Sequence, residues 1–159
     1  MRANVTEDPV ADELSELYQQ VILDHCRKPC NFRLLPGATQ TVEGKNPLCG
    51  DNFTIYLQIE GGVIRDISFQ GSGCCISKAS ASMMTDRLKG KSADEARTAF
   101  AQFQNLVTTG AMDEEVMGKL CAFAGVHHFP MRVKCAILPW HAVLAALNGQ
   151  ARATTEHKP

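Results

Sequence analysis

Apolar and polar positions change their spacing several times along the chain, and each change marks a different element. From Asp8-Pro9 onward, Leu14, Leu17, Tyr18, Val21 and Ile22 recur at helical spacing, which predicts an amphipathic helix ending before Pro29. Between Gly37 and Gly44 lies the short β-favouring run Thr39-Gln40-Thr41-Val42-Glu43. Strict alternation follows: Phe53, Ile55, Leu57 and Ile59 interleave with Asn52, Thr54, Tyr56 and Gln58, the pattern of a half-buried strand. Gly61-Gly62 is a hairpin signal leading into Val63 to Gln70. Three antiparallel strands are expected.

Past Gly71-Ser72-Gly73 the period becomes helical from Ile76 to Lys89 and stops at Gly90. One face of that helix is small (Ser77, Ala79, Ser80, Ala81, Ser82) and would admit another backbone closely. Ser92-Ala93-Asp94-Glu95 reads as a capping box for a helix reaching about Val107. Asp113 to Phe123 reads as a further short helix. Pro130 opens the last, which runs through Cys135 and Trp140 to about Asn148, with Pro139 kinking or dividing it. The polar tail after Gly149 reads as loose. This order predicts an α+β fold, a three-stranded antiparallel sheet with helices packed on one face. No repeat or linker interrupts it, so a single domain over residues 1–159 is expected, with an ordered core at about 9–149 and polar termini.

Composition narrows the function classes. The 159 residues are 45% hydrophobic and 21% charged with net charge −1, which gives no pull towards nucleic acid or an acidic lipid surface. No apolar stretch approaches the roughly 20 residues of a membrane helix. Met1 to Asp12 is polar and acidic, unlike a secretory signal, so a cytoplasmic setting is the expectation. Seven cysteines in that setting make a disulfide framework the weaker reading, and metal binding, reactivity or burial the stronger ones.

Cys49-Gly50-Asp51 with Cys74 and Cys135 offers three thiolates and a carboxylate, a set that can close a tetrahedral zinc site. Cys49 sits in a Pro/Gly turn before a strand, and residues i and i+2 of extended chain point to one side, so Asp51 can join it on an ion. A surface thiol beside a solvated aspartate is an equal reading. Cys74 stands at a helix N-terminus, where unpaired amides favour a thiolate, or seals a corner as a small buried residue. Arg132 lies three residues before Cys135 on the same helical face, and Lys134 adjoins it. Both would offset the negative charge of such a site and attract an anionic sulfur species, although a solvated basic face is the commoner fate. Cys26 and Cys30 straddle a helix end and read as incidental, Cys75 as packing or a spare thiol, and Cys121 as core. His127 and His128 read as surface residues, and His25 and His141 lack an obvious ligand partner. Among metal readings, one in which the ion merely holds an interaction module together also stays open.

Four stretches go further. Residues 18–25 (YQQVILDH), 46–51 (NPLCGD), Gly73-Cys74 with 79–84 (ASASMM), and 129–136 (FPMRVKCA) resemble, in matching order, the SufU branch of the U-type iron–sulfur assembly family, which also contains IscU. The likeness spans roughly Leu14 to Leu147. It implies a SufU/IscU-like fold, zinc held by Cys49, Asp51, Cys74 and Cys135, and Cys49 as the sulfur-accepting residue supported by Arg132 and Lys134. It further implies a SufS-type cysteine desulfurase as partner, with downstream SUF assembly proteins beyond it. The chain would then be a zinc-dependent, sulfurtransferase-like acceptor of persulfide. IscU-type scaffolds, which hold a transient [2Fe–2S] cluster, usually have histidine where this chain has Lys134, and the longer segment Asn105 to Val126 also favours SufU. Cys26, Cys30 and Cys75 depart from the family pattern.

Overall fold

The computed structural model describes the backbone of residues 9–154 and the side chains of 16–154. Asp8, the polar extreme N-terminus and the side chain of Leu14 lie outside the described residues. Helix α1 (Pro9–Arg27) is followed by strands β1 (Gln40–Asn46), β2 (Asp51–Glu60) and β3 (Val63–Ser72). Helices α2 (Cys75–Leu88), α3 (Ala93–Thr109), α4 (Glu114–Met117) and α5 (Pro130–Leu147) complete the helical part, and a short strand β4 (Arg152–Thr154) closes the order.

The three expected strands pair antiparallel as a meander, Val42 against Ile55 and Ile55 against Phe69. The alternation of β2 resolves as anticipated, with Phe53, Ile55 and Leu57 on the buried face. A register shift between Gln58 and Ile59 ends that alternation, so Ile59 is only half-buried.

The sheet has a fourth strand that the sequence reading treated as loose tail. β4 lies parallel to β1, with Glu43 opposite Arg152, and gives the order β3-β2-β1-β4. The Glu43 amide donates to the Ala151 carbonyl at 2.9 Å, which satisfies an edge that would otherwise face solvent unpaired. Mixed pairing arises because α5 carries the chain back along the sheet before β4 begins.

Helices cover one face: α5 packs on β1, β2 and β4, and α2 on β3. The small face of α2 permits close approach, and it is polar as well as small. Ser80 Oγ donates to the Ala136 carbonyl at 2.6 Å and accepts from Trp140 Nε1 at 3.1 Å. Trp140 in turn stacks on Phe103 with ring centroids 4.5 Å apart. Helix α5 stays unbroken through Pro139. Pro139 removes the amide that would bond the Cys135 carbonyl, and one residue along the helix the Ser80 hydroxyl reinforces the ladder.

The capping box at Ser92 forms in full, with both reciprocal bonds present and Gly110 closing α3 in the left-handed conformation. The expected helix from Asp113 to Phe123 is instead split. α4 ends at Gly118 (φ 57°), and the chain continues in 3₁₀ form from Gly118 to His128.

Candidate metal centre

The hairpin between β1 and β2 carries the first donors. Asn46 and Asp51 face each other at its closed end, and the amides of Cys49 and Gly50 donate to the Asn46 carbonyl at 3.2 and 2.9 Å. The Asn46 side chain accepts from the Leu48 amide at 3.2 Å, so the turn is tied at its base. Gly50 takes φ 74°, which lets the chain turn tightly enough to leave Cys49 exposed while Asp51, two residues on, is 2% exposed.

The second wall is the corner between β3 and α2. The Cys74 amide donates to Asp51 Oδ1 at 2.8 Å, fixing the carboxylate. Gly73 makes this approach possible, since a Cβ there would stand 2.5 Å from Asp51 Oδ1. Cys74 is also the N-cap of α2: its sulfur accepts from the Ser77 amide at 3.4 Å and lies 3.5 Å from the Ser77 hydroxyl, which itself donates to the Cys74 carbonyl at 3.0 Å.

The third wall is α5. Cys135, 3% exposed, places its sulfur 3.4 Å from that of Cys49, and Asn46 Nδ2 donates to it at 3.7 Å. A hydrogen bond from Cys135, helped by Ser77, lowers the Cys74 thiol to a pKa of about 6 against the pull of burial. The same bond, with burial and the contact to Cys49, pushes the Cys135 thiol upward.

The arrangement fits a divalent cation. Donor atoms of Cys49, Asp51 and Cys135 lie within 4.8 Å of one another, and Cys74 adjoins them, its amide bonded to Asp51. Ligands about 2.3 Å from a tetrahedral ion stand roughly 3.8 Å apart, so the cluster is near the required size. Asp51 Oδ2 is buried without a hydrogen-bond partner, an uncommon state for a carboxylate oxygen and one that a cation relieves. Three sulfurs and one oxygen are a donor set for zinc, and equally for iron.

Of the four sequence-derived donors, the structure gathers Cys49, Asp51 and Cys135, and Cys74 adjoins them at the N-terminus of α2. The basic pair is placed differently. Arg132 is exposed and makes no ion pair among the described residues; it lines a cleft of about 630 Å³ with Tyr18, Ile22, Ile76, Met112 and Phe129. Lys134 is half-buried on the same turn of α5. Asn46, Gly73 and Ser77 figured in the sequence reading only as parts of motifs, a strand break and a small helix face, with no role assigned to them at the site.

Other cysteines and histidines settle elsewhere. Cys121 is core, as expected. Cys26 and Cys75, taken as incidental and spare, are instead bonded to each other. His25 Nδ1 lies 2.7 Å from Ser82 Oγ, and His127, half-buried, and His128, exposed, lie with ring centroids 3.8 Å apart at a tilt of 39°.

Comparison with known proteins places this site in a family. The profile of the NifU-like N-terminal domain matches residues 17–136, a span containing all four donors. The chain belongs to the NifU-like N-terminal domain family. It is 39% identical over 131 residues to the zinc-dependent sulfurtransferase SufU of Bacillus subtilis, covering 82% of this chain and 88% of that one. It is 35% identical over 136 residues to the iron–sulfur cluster assembly scaffold protein IscU of Thermotoga maritima, covering 86% and 96%. A crystal structure from Fervidobacterium islandicum, described as a candidate scaffold for the SUF system, superposes with TM-score 0.75 at 35% identity over 81% of this chain and 95% of that one. The SufU/IscU-like architecture expected from the four motifs is thus the observed one, with the fourth strand added. No helix among the described residues is long and apolar enough to cross a membrane.

Proposed function

We propose that this chain is a zinc-dependent acceptor of persulfide sulfur, taking it from a SufS-type cysteine desulfurase in the cytoplasm for iron–sulfur cluster assembly. The observation that carries the reading is the unequal exposure of the donors. Asp51 and Cys135 are sealed in the interior, Cys74 is half-buried at a helix cap, and Cys49 alone of the four is exposed. A purely structural site is closed on all sides, whereas this one presents a sulfur to an incoming molecule.

Zinc held by Cys49, Asp51, Cys74 and Cys135 would supply a positive charge that keeps these sulfurs deprotonated at neutral pH. The chain's own groups do the rest. The Cys74 amide and Gly73 fix Asp51, Ser77 and Asn46 orient Cys74 and Cys135, and the tied turn offers Cys49 outward. In the transfer, the Cys49 sulfur attacks the terminal sulfur of the donor persulfide. A new S–S bond forms on Cys49 as the old one breaks, and the donor cysteine leaves as thiolate, so no external oxidant or reductant is needed. Arg132 and Lys134 precede Cys135 on α5 and supply positive charge towards that anionic donor. Exposed Leu48 (60%), beside Cys49 in the turn, and Phe129 (57%), at the start of α5, would give a partner apolar anchorage.

The test is mass spectrometry of the chain after incubation with a cysteine desulfurase and L-cysteine. Added sulfur on the Cys49 peptide is expected, and its loss in Cys49→Ala with the fold intact. A Cys49→Ala chain that still accepts sulfur would refute the assignment.

The named IscU relatives support a second reading, in which the same donors hold a transient [2Fe–2S] cluster as cargo. Lys134, where scaffolds usually have histidine, weighs against it. Protein purified without oxygen distinguishes the two: colourless with one zinc, or brown with iron and sulfide.

A further inference from the structure

Cys26 closes α1 and Cys75 opens α2, 49 residues apart, yet the fold brings their Cα atoms to 5.2 Å and joins their sulfurs. That Cα separation is ordinary for a disulfide. Both residues are half-buried, so a small thiol reagent can reach them, while the remaining cysteines are unpaired. The location is specific: Cys75 directly follows Cys74, and α1 packs along α2. Neither sulfur belongs to the donor cluster of the metal centre.

We infer that Cys26 and Cys75 form a reversible redox couple, a thiol-modification site beside the metal centre that is oxidised by exchange with a low-molecular-weight disulfide. One thiolate of the couple attacks a sulfur of the small disulfide, forming a mixed disulfide and releasing one small thiolate. The second protein thiolate then attacks the protein-side sulfur of that mixed bond and releases the other. Two electrons pass from the couple to the small disulfide, and a small dithiol reverses the exchange. In the oxidised form the bond clamps the end of α1 to the first turn of α2, the turn that Cys74 caps. It also engages the Cys75 sulfur, which as a thiolate would be a competing soft donor next to Cys74.

The experiment equilibrates the full zinc-loaded chain in glutathione buffers of graded oxidised-to-reduced ratio, then quenches, alkylates and maps peptides. A Cys26–Cys75 linked peptide is expected in oxidising buffers, replaced by two alkylated cysteines as the ratio falls. Cys30→Ser should keep the link and Cys26→Ser should remove it. Separate alkylation of Cys26 and Cys75 at every ratio would overturn the couple, as would a link to Cys30 or Cys74, or a bond that resists dithiothreitol in the folded chain. These readings come from the wild-type titration, so a poorly folding Cys26→Ser chain does not blunt them. Peptide mapping is also indifferent to whether Cys49 accepts sulfur; only the next measurement rests on the proposed zinc reading. The oxidised chain should lose zinc to a chelator several-fold more slowly than the reduced chain, and equal rates would refute the clamp.

Discussion

Gly73 illustrates how little freedom single positions have around the donor cluster. A methyl group there would meet Asp51 Oδ1 at 2.5 Å and Phe53 Cε2 at 2.9 Å, and neither can retreat from a buried, hydrogen-bonded place. Gly73→Ala should therefore cost about 1–3 kcal/mol, read by urea denaturation, with zinc content falling in parallel. His25 is a residue-scale case with a pH signature. Ser82 Oγ accepts from the Cys30 amide and lies 2.7 Å from His25 Nδ1. Burial lowers the His25 pKa against the opposing pull of Asp86 and Asp24, with Lys119 adding to the lowering. A folded value below the unfolded 6.5 means that the unfolded chain takes up the proton first. Stability from this group is complete above that pH and declines as the pH drops below it towards the folded value. His25→Gln should flatten the pH dependence of stability in that window, measured by denaturation at graded pH.

Among the elements, α2 shows why serines occupy what looks like a small-residue stripe. Ser80 serves the Ala136 carbonyl and the indole of Trp140 together. Ser80→Ala would leave the Trp140 indole N–H without its acceptor in the interior, a loss of about 1–3 kcal/mol, and the fluorescence of the lone tryptophan should report the altered packing. The periods of α1, β2, β3, α2 and α3 were legible because each repeats over many residues. β4 was not: Arg152-Ala153-Thr154 carries no period of its own, and its pairing with Glu43 to Lys45 is decided by where α5 delivers the chain. The break at Gly118 was equally hidden, since apolar spacing continues across it while the backbone turns left-handed. At the site, Cys49 and Asp51 were readable from their i, i+2 spacing and Cys74 from the glycine corner before it. Their convergence with Cys135 required the resemblance, because nothing local links α5 to the hairpin. The Cys26–Cys75 bond was unreadable for the same reason, being a contact between helices far apart in sequence.

For the molecule as a whole, sheet, α2 and α5 meet at the donor cluster, so a bound ion would cross-link three separate parts of the fold. Zinc at a hundred times its Kd would add about 2.7 kcal/mol, or roughly 5–10 °C in melting temperature for a chain of this size. Chelation should lower the melting temperature by that much in calorimetry, and readdition of zinc should restore it. Cys74→Ala and Cys135→Ala should show no such response.

The single exposed donor has one more consequence. With Asp51 and Cys135 buried and Cys74 half-buried, on the proposed reading a chelator would reach the metal from the Cys49 side, where sulfur would also be delivered. Traffic in one direction therefore obstructs traffic in the other: a docked desulfurase should act as a stopper, and the complex should surrender its zinc to a competing chelator far more slowly than the chain by itself.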